Sequence, residues 1–311
     1  MSSMDLVASL QHRDCPVCGA AAADATPFMA STLDSTRLSP ESFASRKVPE
    51  FMSYRLVTCA TCAVVFASEA PAAGALANAY HQADYSSADE ARFAAEIYAE
   101  ALRPFVEGLS RRGIALEIGT GSGVFLGHLR DMGFADPVGI EPSPAAIATA
   151  ADGIRPMIRE GIFTGNEFAE NTVSLACCFM TLEHIPDPRG FVEAAFRMLE
   201  PGGMIAMITH DYSAPLNRLL GRRSPIIDIE HLQLFCPAAL RHLVTAAGYE
   251  APTIRSFRNV YPVRYWLRLL PLPAGLKRAL MGAAETTGVG GMAIGANVGN
   301  LLTVARKPAT G

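Results

Sequence analysis

The densest chemistry in this chain lies in Glu117-Ile-Gly119-Thr-Gly121-Ser-Gly123, followed by Glu141 at the end of the next apolar run. Glycines at alternate positions let a ligand lie directly on the backbone, because no side chain blocks its approach and a positive φ costs glycine little. A carboxylate such as Glu141 accepts hydrogen bonds from both hydroxyls of a ribose. The spacing differs from the GxGxxG of dinucleotide binders. The third glycine is Gly123 and Val124 follows it, so the pattern does not seat a pyrophosphate at a helix N-terminus and favours a cofactor without phosphates.

A second chemistry resides in Cys15-Pro-Val-Cys18 and Cys59-Ala-Thr-Cys62. Each CxxC forms a knuckle whose thiolates point at one ion, and two knuckles complete a tetrahedral zinc site with no open position, hence a structural one. Pro16, Gly19 and the β-rich flanks at 54–58 and 64–66 suit a zinc ribbon, with residues 20–50 inserted between the knuckles. A redox CxxC is the rival reading, weakened by the presence of two pairs in one short segment. Cys177 and Cys178 fall in an apolar run and read as small core residues, and Cys236 has no pairing either.

These residues need a scaffold. Strand and helix signals alternate, which implies a parallel sheet with helices on both faces. Strands are expected near 114–118, 137–141, 156–159, 173–179, 203–209, 252–258 and 299–306. The organisation reads as a zinc-ribbon domain at 1–70, a linker and helical lid at 71–112, interrupted by Tyr80 to Tyr85, and a cofactor-binding domain at 113–311. With 311 residues, half of them apolar, the chain can bury a large core, and its net charge of -4 gives no reason to expect a polyanionic partner. The opening residues lack a secretion signal, so the expected compartment is cytoplasmic. The apolar stretch at 261–292 is interrupted by Arg264, Arg268, Lys277, Arg278 and Glu285. It therefore reads as an acceptor wall, a surface patch or a homodimer face, and not as a transmembrane span.

At Glu117 to Gly123 and Glu141 the chain resembles the class I S-adenosylmethionine-dependent methyltransferases. The resemblance continues through Leu182-Glu-His-Ile-Pro-Asp-Pro, Met198-Leu-Glu-Pro-Gly-Gly, and Glu230-His-Leu-Gln-Leu-Phe with Ala247-Gly-Tyr. It implies an α/β fold, a Rossmann-like doubly wound seven-stranded sheet with a reversed edge strand, here preceded by the ribbon. It also implies site roles. Glu117, Gly119, Thr120, Gly121 and Gly123 would form the cofactor loop, and Glu141 would hold the ribose. Pro142, Ser143 and Phe163 would flank the adenine, Met180, Thr181 and Leu182 would line the sulfonium end, and Tyr85 would close over the cofactor. No Asp follows the third strand to take the adenine amino group, which leaves Asn166 or a backbone group for that contact.

An in-line methyl transfer often needs a base, and His184, His231 and His210 are the candidates because imidazole titrates near neutrality. His184 follows the fourth strand and His231 precedes a late helix, each with a purely structural alternative. His210-Asp211 reads as an acceptor-orienting pair or a turn. A ribbon before this domain resembles bacterial sugar, polysaccharide and natural-product methyltransferases. The absence of the long C-terminal domain of the sugar C-methyltransferases favours O-methylation of a small or sugar-like acceptor. Two rivals remain: an RNA methyltransferase gripping nucleic acid with the ribbon, opposed by the acidic balance, and a catalytically silent ligand-binding relative, opposed by the intact loop.

Overall fold

A computed structural model describes residues 3–45, 47–85 and 88–309 of the chain. Strands β1 (Leu10–His12), β2 (Thr26–Met29), β3 (Leu56–Thr58), β4 (Val65–Ala67) and β5 (Glu69–Pro71) belong to the N-terminal region. The large sheet comprises β6 (Ile114–Ile118), β7 (Asp136–Glu141), β8 (Ile158–Glu160), β9 (Val173–Phe179) and β10 (Leu199–His210). After the short β11 (Gln233–Leu234), β12 (Thr253–Pro262) and β13 (Ala293–Arg306) complete it. Its order is β12-β13-β10-β9-β6-β7-β8. The expected seven-stranded Rossmann-like sheet is present, and its reversed strand, β13, lies antiparallel to both β10 and the edge strand β12, one place in from the edge.

The central strands are apolar throughout because helices cover both faces. Every residue of β9 is buried, and its side chains alternate between two cores. Cys178 and Ala176 join Leu116, Ile205, Met207, Phe191 and Leu240 on one face, whereas Cys177 and Leu175 join Ala115, Leu126, Leu129 and Leu102 on the other. Burial pushes both thiols well above the ordinary cysteine range, with Glu117 and other nearby acidic groups adding to it, so they stay protonated core residues. Strand ends differ from the sequence reading mainly at β10, β12 and β13: β12 and β13 run on where they pair antiparallel with each other, and β10 begins at Leu199, opposite Val173 of the parallel β9. The lid region forms two helices, Ala73–His81 and Ala88–Val106; Ser86 and Ser87 lie outside the described residues.

The ribbon is sewn into the catalytic fold. Its sheet runs β11-β4-β3-β2, so one strand comes from the segment that follows Glu230-His231. Cys15, Cys59 and Cys62 share a core with Leu116, Ile118 and Phe235. Arg13 reaches the Gln233 side chain at 2.6 Å, and the Tyr212 hydroxyl donates to the Ala63 carbonyl at 2.6 Å. No helix among the described residues is long and apolar enough to cross a membrane.

Candidate functional site

The loop after β6 turns back through three left-handed glycines, Gly119 (φ 72°), Gly121 (φ 58°) and Gly123 (φ 71°). Gly119 is also sterically required: a Cβ there would stand 2.6 Å from Thr181 Cγ2 and closer still to its hydroxyl. Thr120 donates to the buried Glu117 carboxylate, which ties the loop to its own strand. Glu141, at the end of β7, accepts the Gly121 amide at 2.7 Å and the Ser143 amide at 2.9 Å. Burial raises its pKa, and these two amides oppose the rise by stabilising the carboxylate. Ser143 in turn caps the helix Pro144–Ala148 by accepting from the Ala146 amide.

These groups open onto a cavity of about 870 Å³. Of the residues singled out in the sequence, Tyr85, Glu117, Gly119, Thr120, Gly121, Glu141, Pro142, Ser143, Phe163, Met180, Thr181, His184, His210 and His231 line it. Gly123 stands behind the wall, as the N-cap of the helix Val124–Asp131, packed where a Cβ would meet Ile154 and Ile158. Leu182 is fully buried outside the lining, and Asn166 is exposed and likewise outside it. Tyr85 donates to the Ser122 hydroxyl at 3.1 Å, which holds it over the glycine loop, and Phe163 meets Phe191 edge to face at 5.2 Å. Met180 adopts φ 52°, unusual for a side-chain-bearing residue, where the chain leaves β9.

At the other end of the cavity three histidines gather from distant sequence positions. The His231 ring lies 5.0 Å from His184 and 5.2 Å from His210, centroid to centroid. His231 Nδ1 is 2.8 Å from the Ile226 carbonyl, and His184 Nδ1 is 2.9 Å from the Tyr80 hydroxyl. His210 Nδ1 lies 3.2 Å from the fully buried Glu183 carboxylate, which also accepts the His210 amide at 2.7 Å. Asp211 takes the turn alternative, accepting from the Ser213 amide and hydroxyl, so Glu183 is the partner of His210. Burial pushes both His184 and His231 down to about 4, and pushes Glu230 up to about 7. For Glu183, burial acts upward but the His210 hydrogen bond and the surrounding imidazoles outweigh it, so its pKa falls.

Several lining residues had no local signal in the sequence. Phe43, Lys47 and Pro49 come from the insertion between the two cysteine pairs. Lys47 Nζ pairs with Asp228 at 2.6 Å and with Glu50 at 2.5 Å, fastening that insertion to the loop before His231. Tyr261, Tyr265 and Trp266 supply an apolar wall, so the first part of the 261–292 segment faces the cavity. Leu276, Leu280 and Met292 are exposed instead.

Residues 89–253 of the 311 match the family described as a methyltransferase domain. The chain belongs to that family. The methyltransferase is 30% identical over 102 residues to the ubiquinone biosynthesis O-methyltransferase of Pseudomonas fluorescens, a match covering 30% of this chain and 43% of that protein. It is 28% identical over 99 residues to a methyltransferase of Mycobacterium leprae, covering 30% and 36% respectively. The methyltransferase thus spans less than half the length of these curated relatives. Among solved structures it is similar to a SAM-dependent methyltransferase from Archaeoglobus fulgidus, with a TM-score of 0.47 and 14% identity over 68% of this chain and 94% of that one.

The four ribbon cysteines form the one cluster of metal-ligating side chains found among the described residues, with all ligand atoms within 4.8 Å of one another. Cys15 Sγ lies 3.5 Å from both Cys62 and Cys18, and Cys18 lies 3.5 Å from Cys59. Tetrahedral zinc with Zn–S bonds of about 2.3 Å would set sulfur atoms about 3.8 Å apart, so the donor set fits with a small expansion. The two knuckles turn alike: Gly19 (φ 75°) returns its amide to Cys15, and Ala63 (φ 60°) returns its amide to Cys59.

Proposed function

We propose that this methyltransferase uses S-adenosylmethionine to methylate an oxygen of a small, hydroxyl-bearing acceptor, with His231 as the general base and a structural zinc in the ribbon. A single cavity carries the reading: the glycine loop and Glu141 line one part of it, and the histidine cluster lines another. When bound, S-adenosylmethionine supplies an electrophilic methyl on a sulfonium.

The protein's own residues do the rest. Glu141 has lone pairs left for ribose hydroxyls after accepting two amides, and Gly121 leaves room for the nucleoside. Phe163 and Pro142 wall the adenine, while Met180 and Thr181 border the transfer point. The Ile226 carbonyl can only accept, so His231 keeps its proton on Nδ1 and presents Nε2 with a lone pair. That Nε2 would accept the acceptor hydroxyl's proton, while the bound cofactor would supply the methyl and keep the carbon–sulfur bonding pair on its sulfur, leaving as the neutral demethylated product. His184, locked by Tyr80, orients the acceptor and is the second base candidate. Alignment within a closed cavity supplies much of the acceleration in such reactions, up to about 7–11 kcal/mol in favourable models.

The Pseudomonas fluorescens relative, a ubiquinone biosynthesis O-methyltransferase, agrees with transfer to oxygen. Against a nucleic-acid acceptor, only two cations line the cavity among the described residues, Lys47 and Arg197, and Lys47 is already paired with two carboxylates. Calorimetric titration with S-adenosylmethionine, its demethylated product and NAD tests the cofactor. Binding of the sulfur nucleotides alone is expected, and binding of NAD alone would sink the reading.

A further inference from the structure

Asn259 on β12 and Asn300 on β13 are 2% and 5% exposed, and both line the cavity. Asn300 Nδ2 donates to Asn259 Oδ1 at 3.2 Å. The pairing leaves Asn259 Nδ2 and Asn300 Oδ1 buried without a hydrogen-bond partner. Exchanging oxygen and nitrogen in both amides changes which residue holds which role but still leaves one donor and one acceptor. Buried amide atoms are seldom left unpaired because desolvating them is costly. Among the described residues neither atom has a partner, and both asparagines border the cavity, which is where a partner can come from.

The pair's position links it to the acceptor and not to the cofactor loop. Asn300 is the register partner of His210, and its amide lies 3.9 Å from Met180 Sδ. Beyond the asparagines the cavity wall is apolar, built from Tyr265, Trp266, Leu269 and Leu270. Trp266 is held in place by donating to the Ile294 carbonyl at 2.9 Å. An uncharged amide pair satisfies a group that both donates and accepts, but it cannot compensate the desolvation of an anion.

We propose that Asn259 and Asn300 select the acceptor's head group: an uncharged, hydroxyl-bearing head that hydrogen-bonds to both amides, on an apolar body lying along Tyr265, Trp266 and Leu269. This deepens the methyl-transfer reading and rests on its assignment of the histidine end to the acceptor.

Trp266 is the single tryptophan of the chain, so its emission reports occupancy of this wall. The full-length protein is titrated with 4-butylphenol, butylbenzene and 4-butylbenzoate at neutral pH, and separately with S-adenosylmethionine by calorimetry. Saturable binding of the phenol is expected, at least about tenfold tighter than either analogue. Asn300→Ala and Asn259→Ala should each bring the phenol down to the level of butylbenzene. If one variant does not fold, the other and the wild-type preference still decide. No phenol binding, equal binding of butylbenzene, tighter binding of the benzoate, or a preference surviving in a folded variant would each overturn the proposal. If S-adenosylmethionine does not bind while the phenol preference persists, the methyl-transfer reading falls and the head-group assignment stands. Cofactor binding without that preference has the reverse meaning.

Discussion

His231 places its Nδ1 2.8 Å from the carbonyl oxygen of Ile226, which fixes the ring's tautomer and leaves Nε2 as a hydrogen-bond acceptor. Removing a positioned base costs about 10²- to 10⁴-fold in rate. His231→Asn should therefore lower kcat by that order while calorimetry finds cofactor affinity unchanged; a variant with wild-type kcat would transfer the role to His184.

Burial, reinforced by His184, pushes His231 down to about 4, against a weaker upward pull from Glu230. A lowered pKa keeps the imidazole neutral, hence competent as a base, throughout the range from about 4 to 6.5. The pH profile of kcat/KM should show no acid limb from His231 near 6.5. Glu230, raised to about 7 by its own burial, titrates close by, so a limb near 7 should vanish in Glu230→Gln. A limb near 6.5 that persists in that variant would indicate an ordinary solvated base.

Glu141→Ala removes the acceptor of two loop amides as well as the proposed ribose ligand. Hydrogen bonds to charged groups contribute about 1.5–3 kcal/mol each, so cofactor affinity should fall by at least about tenfold. Glu141→Gln should fall between the two. Unchanged affinity in the alanine variant would exclude Glu141 as a ribose ligand.

Gly119→Ala meets two penalties, a left-handed φ and a collision with Thr181. The backbone part costs roughly 1–2 kcal/mol, and the collision adds to it. Melting temperature and cofactor binding should both drop, and Thr181→Gly in the same chain should recover only the collision part. Full recovery would mean the loop tolerates the substitution by shifting.

Cys18→Ser should reduce zinc from one per chain to none and lower the melting temperature, because structural metal binding is coupled to folding. None of the four ribbon cysteines lines the cavity, yet activity should fall too, because the insertion between the cysteine pairs supplies Phe43 and Lys47 and is bound to Asp228. Metal analysis by plasma emission and an activity assay check both; unchanged metal content would remove the ribbon assignment.

The amino-acid sequence by itself determined what is local. Alternating glycines, apolar runs of strand length and CxxC pairs act through neighbours in the chain, so the sheet, the glycine loop beside Glu141 and the cysteine cluster were all legible. Tertiary structure decided what depends on long-range juxtaposition. The partner of His210 is Glu183, twenty-seven positions earlier, although Asp211 is its neighbour in sequence. Lys47 meets Asp228 because the insertion folds across the catalytic domain, and Asn259 meets Asn300 because β12 and β13 pair antiparallel. Periodicity records which face of a strand or helix is buried. It carries no record of which buried polar groups will meet, because the three-dimensional path of the backbone sets that.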